Sequence, residues 1–468
     1  MMLLRRRAAS RGTPSCPQHT KASRPAHLTP LWIGRHGVRP GAVNARMSPP
    51  PPSPERPPES SAPLAAALIR AAAVCLAAVP FGMAVAHRSA PLVLGTGTAL
   101  ALAALYLEHR LGALLREASS IARTPLGTAS IAFLAFALLS VLWSPDQGAS
   151  VHGFVEFVVP LAAALGLGLA LPGRAPRFAF TLFAIMTIAA CVLMLVDLWT
   201  VMALRRAVGT RWNSFIYNRP ALTLLVLLPP LLWGLIGEGR RWLAAAAATL
   251  AALAIQQSDS GAAALGLAAA AAAYAMARLS RAATLALAAA GIVLSVALAP
   301  VAGELMQGAI PAAWHERLKG SNSQARVDIW RSFGAAVREQ PWLGAGFAAG
   351  SAFPESAGAR RVDPAYATLL AVGHPHNGAL QLWTDLGAVG AALALVVLGL
   401  TLRLVTSLPD DLFAPGIALM AAAVAVSLVG HGLWQGWWAA AIGAAVVWFR
   451  IGLGPAGASP VGPGKEGA

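Results

Sequence analysis

About twelve stretches of the chain, most of them 17 to 26 residues long and almost free of charge, constrain what it can fold into more than any other feature. A helix needs ~20 mostly apolar residues to cross a bilayer. Inside lipid every backbone polar group must find its partner within the protein. The apolar stretches run over roughly 64–86, 90–106, 127–143, 151–171, 178–203, 219–236, 242–257, 261–277 and 283–302. After a long polar interval they resume at 379–402, 414–430 and 433–451. The expected class is therefore all-α, a polytopic membrane protein of about twelve transmembrane helices. Ala-rich runs such as 244–254 and 262–273 are only moderately apolar, but small residues suit close helix packing in lipid. The 151–171 span, with His152 and Glu156, is the least clear-cut of the set.

Composition agrees: 57% of residues are hydrophobic and 12% charged, with mean hydropathy +0.63, outside the range of soluble domains. One membrane domain, 63–453, is expected rather than several globular ones. Cys16, Cys75 and Cys191 are too scattered for a disulfide framework or a metal site. About half of the formal charge of +16 falls in residues 1–62, and much of the rest in short loops, so it argues for membrane orientation and against nucleic acid. Residues 1–62 are rich in Arg and Pro, with PPPPSPERPPESS at 49–61, and are expected to be disordered, as is the tail 454–468. Met47 precedes the proline run and is a candidate for the true start; a functional basic tail is the alternative.

Short loops set orientation. With the N-terminus inside, Arg110, Arg116, Arg123, Arg174, Arg177, Arg240, Arg241, Arg278, Arg281 and Arg403 all fall on the cytoplasmic side. Both termini are then cytoplasmic and 304–378 is an external loop. One loop breaks the pattern: Arg205, Arg206, Arg211 and Arg219 lie outside without an acidic residue among them. An anionic ligand would explain them, because guanidinium forks match phosphate oxygens; contact with lipid headgroups is the plainer reading.

The external loop holds the densest polar chemistry. Asn322 or Ser323 can cap a helix that Pro341 ends, and Arg326, Trp330, Phe333 and Val337 form one stripe along it. Such a helix would lie on the membrane or over a cavity. A cation on its apolar face needs an anion. Arg331 and Arg338 fall off the stripe and are expected to be solvated. Pro341–Gly350 lacks the Lys-Ser/Thr of a phosphate-binding loop and reads as a flexible connector. His374 and His376 flank Pro375 just before Asn377 and a new helix. Without a neighbouring Cys or matched carboxylate they are a weak zinc signal, so neither metal nor cofactor is expected. A hydrogen-bonding or general-base role fits His376 better. Asp197, near the end of its span, is costly in lipid, and a salt bridge to a nearby arginine is the simplest account.

Taken together, Arg326-x-x-x-Trp330, Pro341-x-x-Gly344-x-Gly346, His376-Asn377-x-x-Leu380-Gln381 and Asp385-x-Gly387-x-x-Gly390 resemble the O-antigen ligase and polymerase superfamily. Leu142-Trp143-Ser144-Pro145-Asp146 is similar to that family's early outer-loop signature, and the resemblance covers roughly 130–450. It implies a fold related to the C-type glycosyltransferases in a bacterial inner membrane, with 304–378 periplasmic. It also implies metal-independent transfer of a glycan from a polyprenyl-pyrophosphate carrier to a lipid or glycan acceptor. Carried over, Arg326 would bind the pyrophosphate and His376 serve the acceptor hydroxyl. Arg211, Arg219, Trp330, His374 and Asn377 are the expected substrate contacts. A polysaccharide polymerase is the neighbouring activity, and a transporter or assembly factor the reading from another class. One departure stands out: where many members have Ser-Arg-Gly, this chain has Ser258-Asp259-Ser260-Gly261, so either Arg211 or Arg219 takes over that arginine's part or the substrate differs.

Overall fold

The computed structural model describes residues 62–210, 212–309, 323–430 and 432–454. Arg211, His431, the segment 1–61 with Met47, residues 310–322 and the tail from 455 lie outside the described residues. The described chain is helical throughout, without strands.

The first half of the bundle consists of α1 (Ala62–Val85), α2 (Ala90–Leu107), α3 (Leu111–Ala122), α4 (Pro125–Leu139), α5 (Gln147–Ala170) and α6 (Ala179–Trp199). Next come the single turn α7 (Ala203–Ala207), then α8 (Asn218–Gly237), α9 (Arg241–Gln257), α10 (Gly261–Leu279) and α11 (Arg281–Ala297). A short α12 (Ala302–Ala309) continues α11. Beyond it are α13 (Ser323–Glu339) and one turn α14 (Pro364–Ala367). The chain then runs back through α15 (Gly378–Thr406), α16 (Asp410–Val429) and α17 (Gly436–Leu453).

Ten of these helices are long and apolar enough to cross a bilayer, and the pair Arg281–Ala297 and Ala299–Ala309, bent by 57°, adds one more if it counts as a single span. The remaining expected span is α9, whose 17 residues rise only ~25 Å. Each of the twelve apolar stretches is thus a helix. α3 is an extra: twelve residues, none buried, which suits an amphipathic helix at the membrane surface.

Side-chain oxygens start many helices. Thr124, Asp146, Ser260, Ser280 and Asn377 each accept a hydrogen bond from a backbone N–H in the first turn of the helix that follows. Small residues set the packing. A Cβ on Gly443 would stand 2.5 Å from Ala164 Cβ, and one on Gly436 would stand 2.4 Å from the Glu156 carbonyl oxygen, so α17 lies almost backbone to backbone on α5. The main core joins α1, α2, α5, α6, α8, α9, α10, α16 and α17. A second core, formed by α13, the loop after it and the first half of α15, carries the polar residues of interest.

The charged ends fall into two groups. At one, Arg174 pairs with Glu108, Arg281 with Asp410 at 2.8 Å, and Arg450 with Glu117 at 3.6 Å. The other gathers the turns after α1, α4, α6 and α16 with the loop before α15.

Candidate functional site at the end of α16

α13 is more deeply set than a surface helix. Its stripe residues Phe333 and Val337 are buried, but so are Val327, Ile329, Ser332, Gly334 and Ala336. A Cβ on Gly334 would meet the Pro300 carbonyl oxygen at 2.4 Å, so the helix is wedged against the bend between α11 and α12. The expectation of a helix lying on the membrane is corrected: packing between two elements buries more than one stripe. Arg331, expected to be solvated, instead lies over the Tyr366 ring at 5.3 Å and donates to its hydroxyl at 3.1 Å. Arg338 is exposed, with Glu304 as its partner at 3.2 Å.

This seating brings Arg326 to the C-terminal end of α16, where its guanidinium donates to the Val429 carbonyl. His376, from the loop before α15, lies against the backbone of the next residue, Gly430. Two elements fifty residues apart in sequence therefore bring a guanidinium and an imidazole to consecutive residues. His376 has φ +52°, in the left-handed region, which costs a residue with a side chain ~1–2 kcal/mol. Asn377 holds it there from the next position: its side-chain oxygen accepts from Leu380 N at 3.1 Å and starts α15. That oxygen is committed to the cap.

The His374 and His376 rings lie 4.1 Å apart, centroid to centroid. Burial holds the His376 imidazolium down to about 4, helped by the charges of His374 and Arg326. Burial also lowers His374, and it lowers Arg326 from the usual arginine range. At neutral pH His376 is uncharged. As a neutral imidazole it has one ring nitrogen that donates and one that accepts. Among the described residues no carboxylate pairs with Arg326. The arrangement can take a proton beside a fixed positive charge.

Arg219 lies on the other side of the α16–α17 turn, 5.5 Å above the Trp437 ring, with one guanidinium nitrogen buried and lacking a hydrogen-bond partner among the described residues. A crevice lies between Leu222, Val426, Gly432, Leu433 and Trp437, and a Cβ on Gly432 would stand 3.5 Å from His374 Cδ2. Arg205 is different. It is buried, 3.6 Å from fully buried Asp197, and donates to Tyr217 Oη, Ala84 O and Val85 O. Tyr217 Oη in turn donates to Asp197 at 2.8 Å. The unbalanced loop is therefore less basic than it reads, since its acid arrives from the end of α6. Trp330 is half-buried in the core under α13, its indole nitrogen without a partner among the described residues.

The glycine-rich stretch after α13 is no flexible connector. α15 breaks at Gly387 (φ 61°, ψ −164°), which frees backbone groups on both sides. Pro341–Gly346 satisfies them: Ala345 N donates to Thr384 O at 2.8 Å and Gly346 N to Asp385 O at 2.9 Å. In return Ala388 N donates to Pro341 O at 2.7 Å. A Cβ on Gly387 would sit 2.3 Å from the Trp342 carbonyl, and one on Gly344 would sit 2.6 Å from that of Asp385. Irregular backbone at membrane depth is tolerated only when paired in this way. Phe347 N then donates to Ser140 Oγ at 2.9 Å, and Gly346 abuts Ser144, so the loop is also docked on the Leu142–Asp146 segment.

Sequence reading named no role for the α16–α17 turn. Its contributions are mostly backbone groups, which leave no trace in residue identity. Among the described residues no three of His, Cys, Asp and Glu gather as metal ligands.

No curated protein matches the chain. Residues 244–395, from α9 through the Arg326 helix, the glycine loop and the His376–Asn377 start of α15, match the family described as O-antigen ligase. That match lies over a many-helix membrane bundle, and across those residues the chain is similar to the O-antigen ligase family.

Proposed function

We propose that the protein is a glycosyltransferase that moves a glycan from a polyprenyl-pyrophosphate carrier to an acceptor hydroxyl. The reaction would take place on the outer face of a bacterial inner membrane, with both termini cytoplasmic. The observation that supports this reading is the meeting of Arg326 and neutral His376 at the adjacent residues Val429 and Gly430. His376 accepts the acceptor's proton as its oxygen attacks the anomeric carbon. Arg326 stabilises the negative charge that grows on the departing pyrophosphate, with two parallel donors that match phosphate oxygens. Arg219, with a nitrogen unpartnered among the described residues, is the second candidate for that anion, and Arg211, Trp330 and His374 are proposed to line the substrate path.

The test is transfer in vesicles from a purified lipid-linked glycan, with chelator present and two acceptors offered. Product on a lipid-anchored saccharide means ligation, and elongation of a second lipid-linked glycan means polymerisation. If neither forms with the unmodified protein, the enzymatic reading fails. Orientation is checked separately. A cysteine at exposed Ser351 should react with an impermeant reagent added outside, and one at exposed Ser280 should not. The opposite pattern inverts the topology.

A further inference from the structure

The site rests on Val429–Gly430 and the described residues 432–435 between α16 and α17, and these are anchored by a buried polar trio. Gln381, Asp385 and Trp434 are each at most 6% exposed. Trp434 Nε1 donates to Asp385 Oδ2 at 2.7 Å, and Gln381 Nε2 donates to the same oxygen at 3.2 Å. Gln381 Oε1 accepts from Leu433 N at 2.7 Å. The backbone carbonyl of Asp385 accepts from Gly346 N at 2.9 Å, so the glycine loop is tied in as well. A carboxylate within an otherwise apolar membrane helix is costly and calls for an explanation beyond packing.

The connectivity supplies one. His376 stands just before α15, and Gln381 and Asp385 lie one and two turns into it. The turn's far end, Leu433–Trp434, is held by Gln381 and Asp385. Its near end, Val429–Gly430, holds Arg326 and His376. We infer that Asp385, Gln381 and Trp434 are positioning residues, closing a ring from α15 through the α16–α17 turn that sets the guanidinium and the imidazole against each other. The inference rests on the glycosyl-transfer reading. Asp385 acts here as a multiple acceptor that locks a turn and does not touch substrate. Trp434 is caged by Phe133, Phe157 and Phe347, whose ring centroids lie 4.5–6.2 Å from its own, so its packing and its N–H can be separated by substitution.

The experiment uses full-length protein in vesicles, with transfer kinetics and thermal unfolding read together. Trp434→Phe keeps an aromatic ring and removes the donor; it is expected to lower kcat about tenfold, the scale of a small misplacement of catalytic groups. In a His376→Ala background the same change should cost clearly less, because one of the two groups it positions is gone. Asp385→Asn, which still accepts from Trp434, should stay within about threefold of the unmodified protein, and Asp385→Leu should fall at least as far as Trp434→Phe. Thr98→Val removes a buried helix-to-helix hydrogen bond to Ala163 far from the turn and should leave kcat unchanged. Equal losses from Trp434→Phe in both backgrounds, or none in either, overturn the inference. So does an Asp385→Asn as impaired as Asp385→Leu, which would mean that the charge itself takes part. An unmodified protein that transfers nothing overturns both this inference and the enzymatic reading; an active one insensitive to Trp434→Phe overturns this inference alone.

Discussion

Two arginines half-buried or deeper at the same end of the bundle have opposite surroundings. Arg205 is closed: Asp197 neutralises it, and Tyr217 and two carbonyls of α1 take its donors. Arg326 is open: its hydrogen bond goes to one neutral carbonyl, with no carboxylate against it among the described residues. Burying a charge is tolerable when partners replace water and costly when they do not. Arg205 spends its interactions on joining α1, α6 and the start of α8, and so holds Arg219 in register. Arg326 retains donors that a passing anion can use. A buried cation therefore points to a binding site only after its partners have been counted.

The contrast can be broken most severely at the group beside Arg326. His376→Ala is expected to lower transfer by about 10²–10⁴-fold, the usual range for a lost general base, with little change in unfolding temperature. His374→Ala, one turn of loop away, should be milder. If both variants keep full turnover, His376 has no part in proton transfer.

Asp197→Ala addresses the closed site. Removing one partner of a buried pair typically costs ~3–5 kcal/mol, because the other charge is stranded. The expected outcome is a sharply lowered unfolding temperature or failure to insert. An unaltered melt would mean that Arg205 has another anion.

Arg326→Lys should do the reverse of Asp197→Ala. Losing one charged donor from a preorganised anion site typically costs ~3–4 kcal/mol, or ~100–1000-fold in rate. Thermal stability should hold, since only one carbonyl contact is lost. The control is Arg338→Lys, which alters a surface pair worth ~0–1 kcal/mol at most. Near-normal turnover in Arg326→Lys would remove it from the donor site.

The smallest effect expected is a displaced acid limb. In the proposed reaction neutral His376 is the working form, so activity should persist below the ordinary histidine range and fall only as pH drops through about 4. The same depressed value means that the unfolded chain binds the proton first, so stability also falls as pH drops below the usual histidine range toward about 4. Replacing Arg326 by Met removes one of the charges holding His376 down, so the residual activity's acid limb should move upward. A limb that stays put would show that the two groups do not face each other.

Legibility in the sequence followed the range of the interaction. Apolar runs reported their own environment, so every expected span is a helix, and α9 falls short of the crossing length by a single turn at most. Arg326 and His376 stood out because charged and imidazole side chains beside apolar stripes are costly to leave unexplained. Arg331 was misread as solvated because its partner, Tyr366, is thirty-five residues away. The glycine stretch was misread as a connector for a related reason: glycines read as freedom until the second strip of backbone that fills the space is known.

The sequence by itself determined a polytopic helical bundle, its helix starts and the residue types able to handle an anion and a hydroxyl, because hydrophobic length and capping are local properties of the chain. Only the tertiary structure decided that Arg205 is neutralised and Arg326 is not. It alone decided, too, that Val429 and Gly430 receive the guanidinium and the imidazole and that Asp385 and Trp434 hold their turn. Those outcomes depend on backbone carbonyls and on contacts between distant helices, and neither is encoded in the identity or spacing of neighbouring residues.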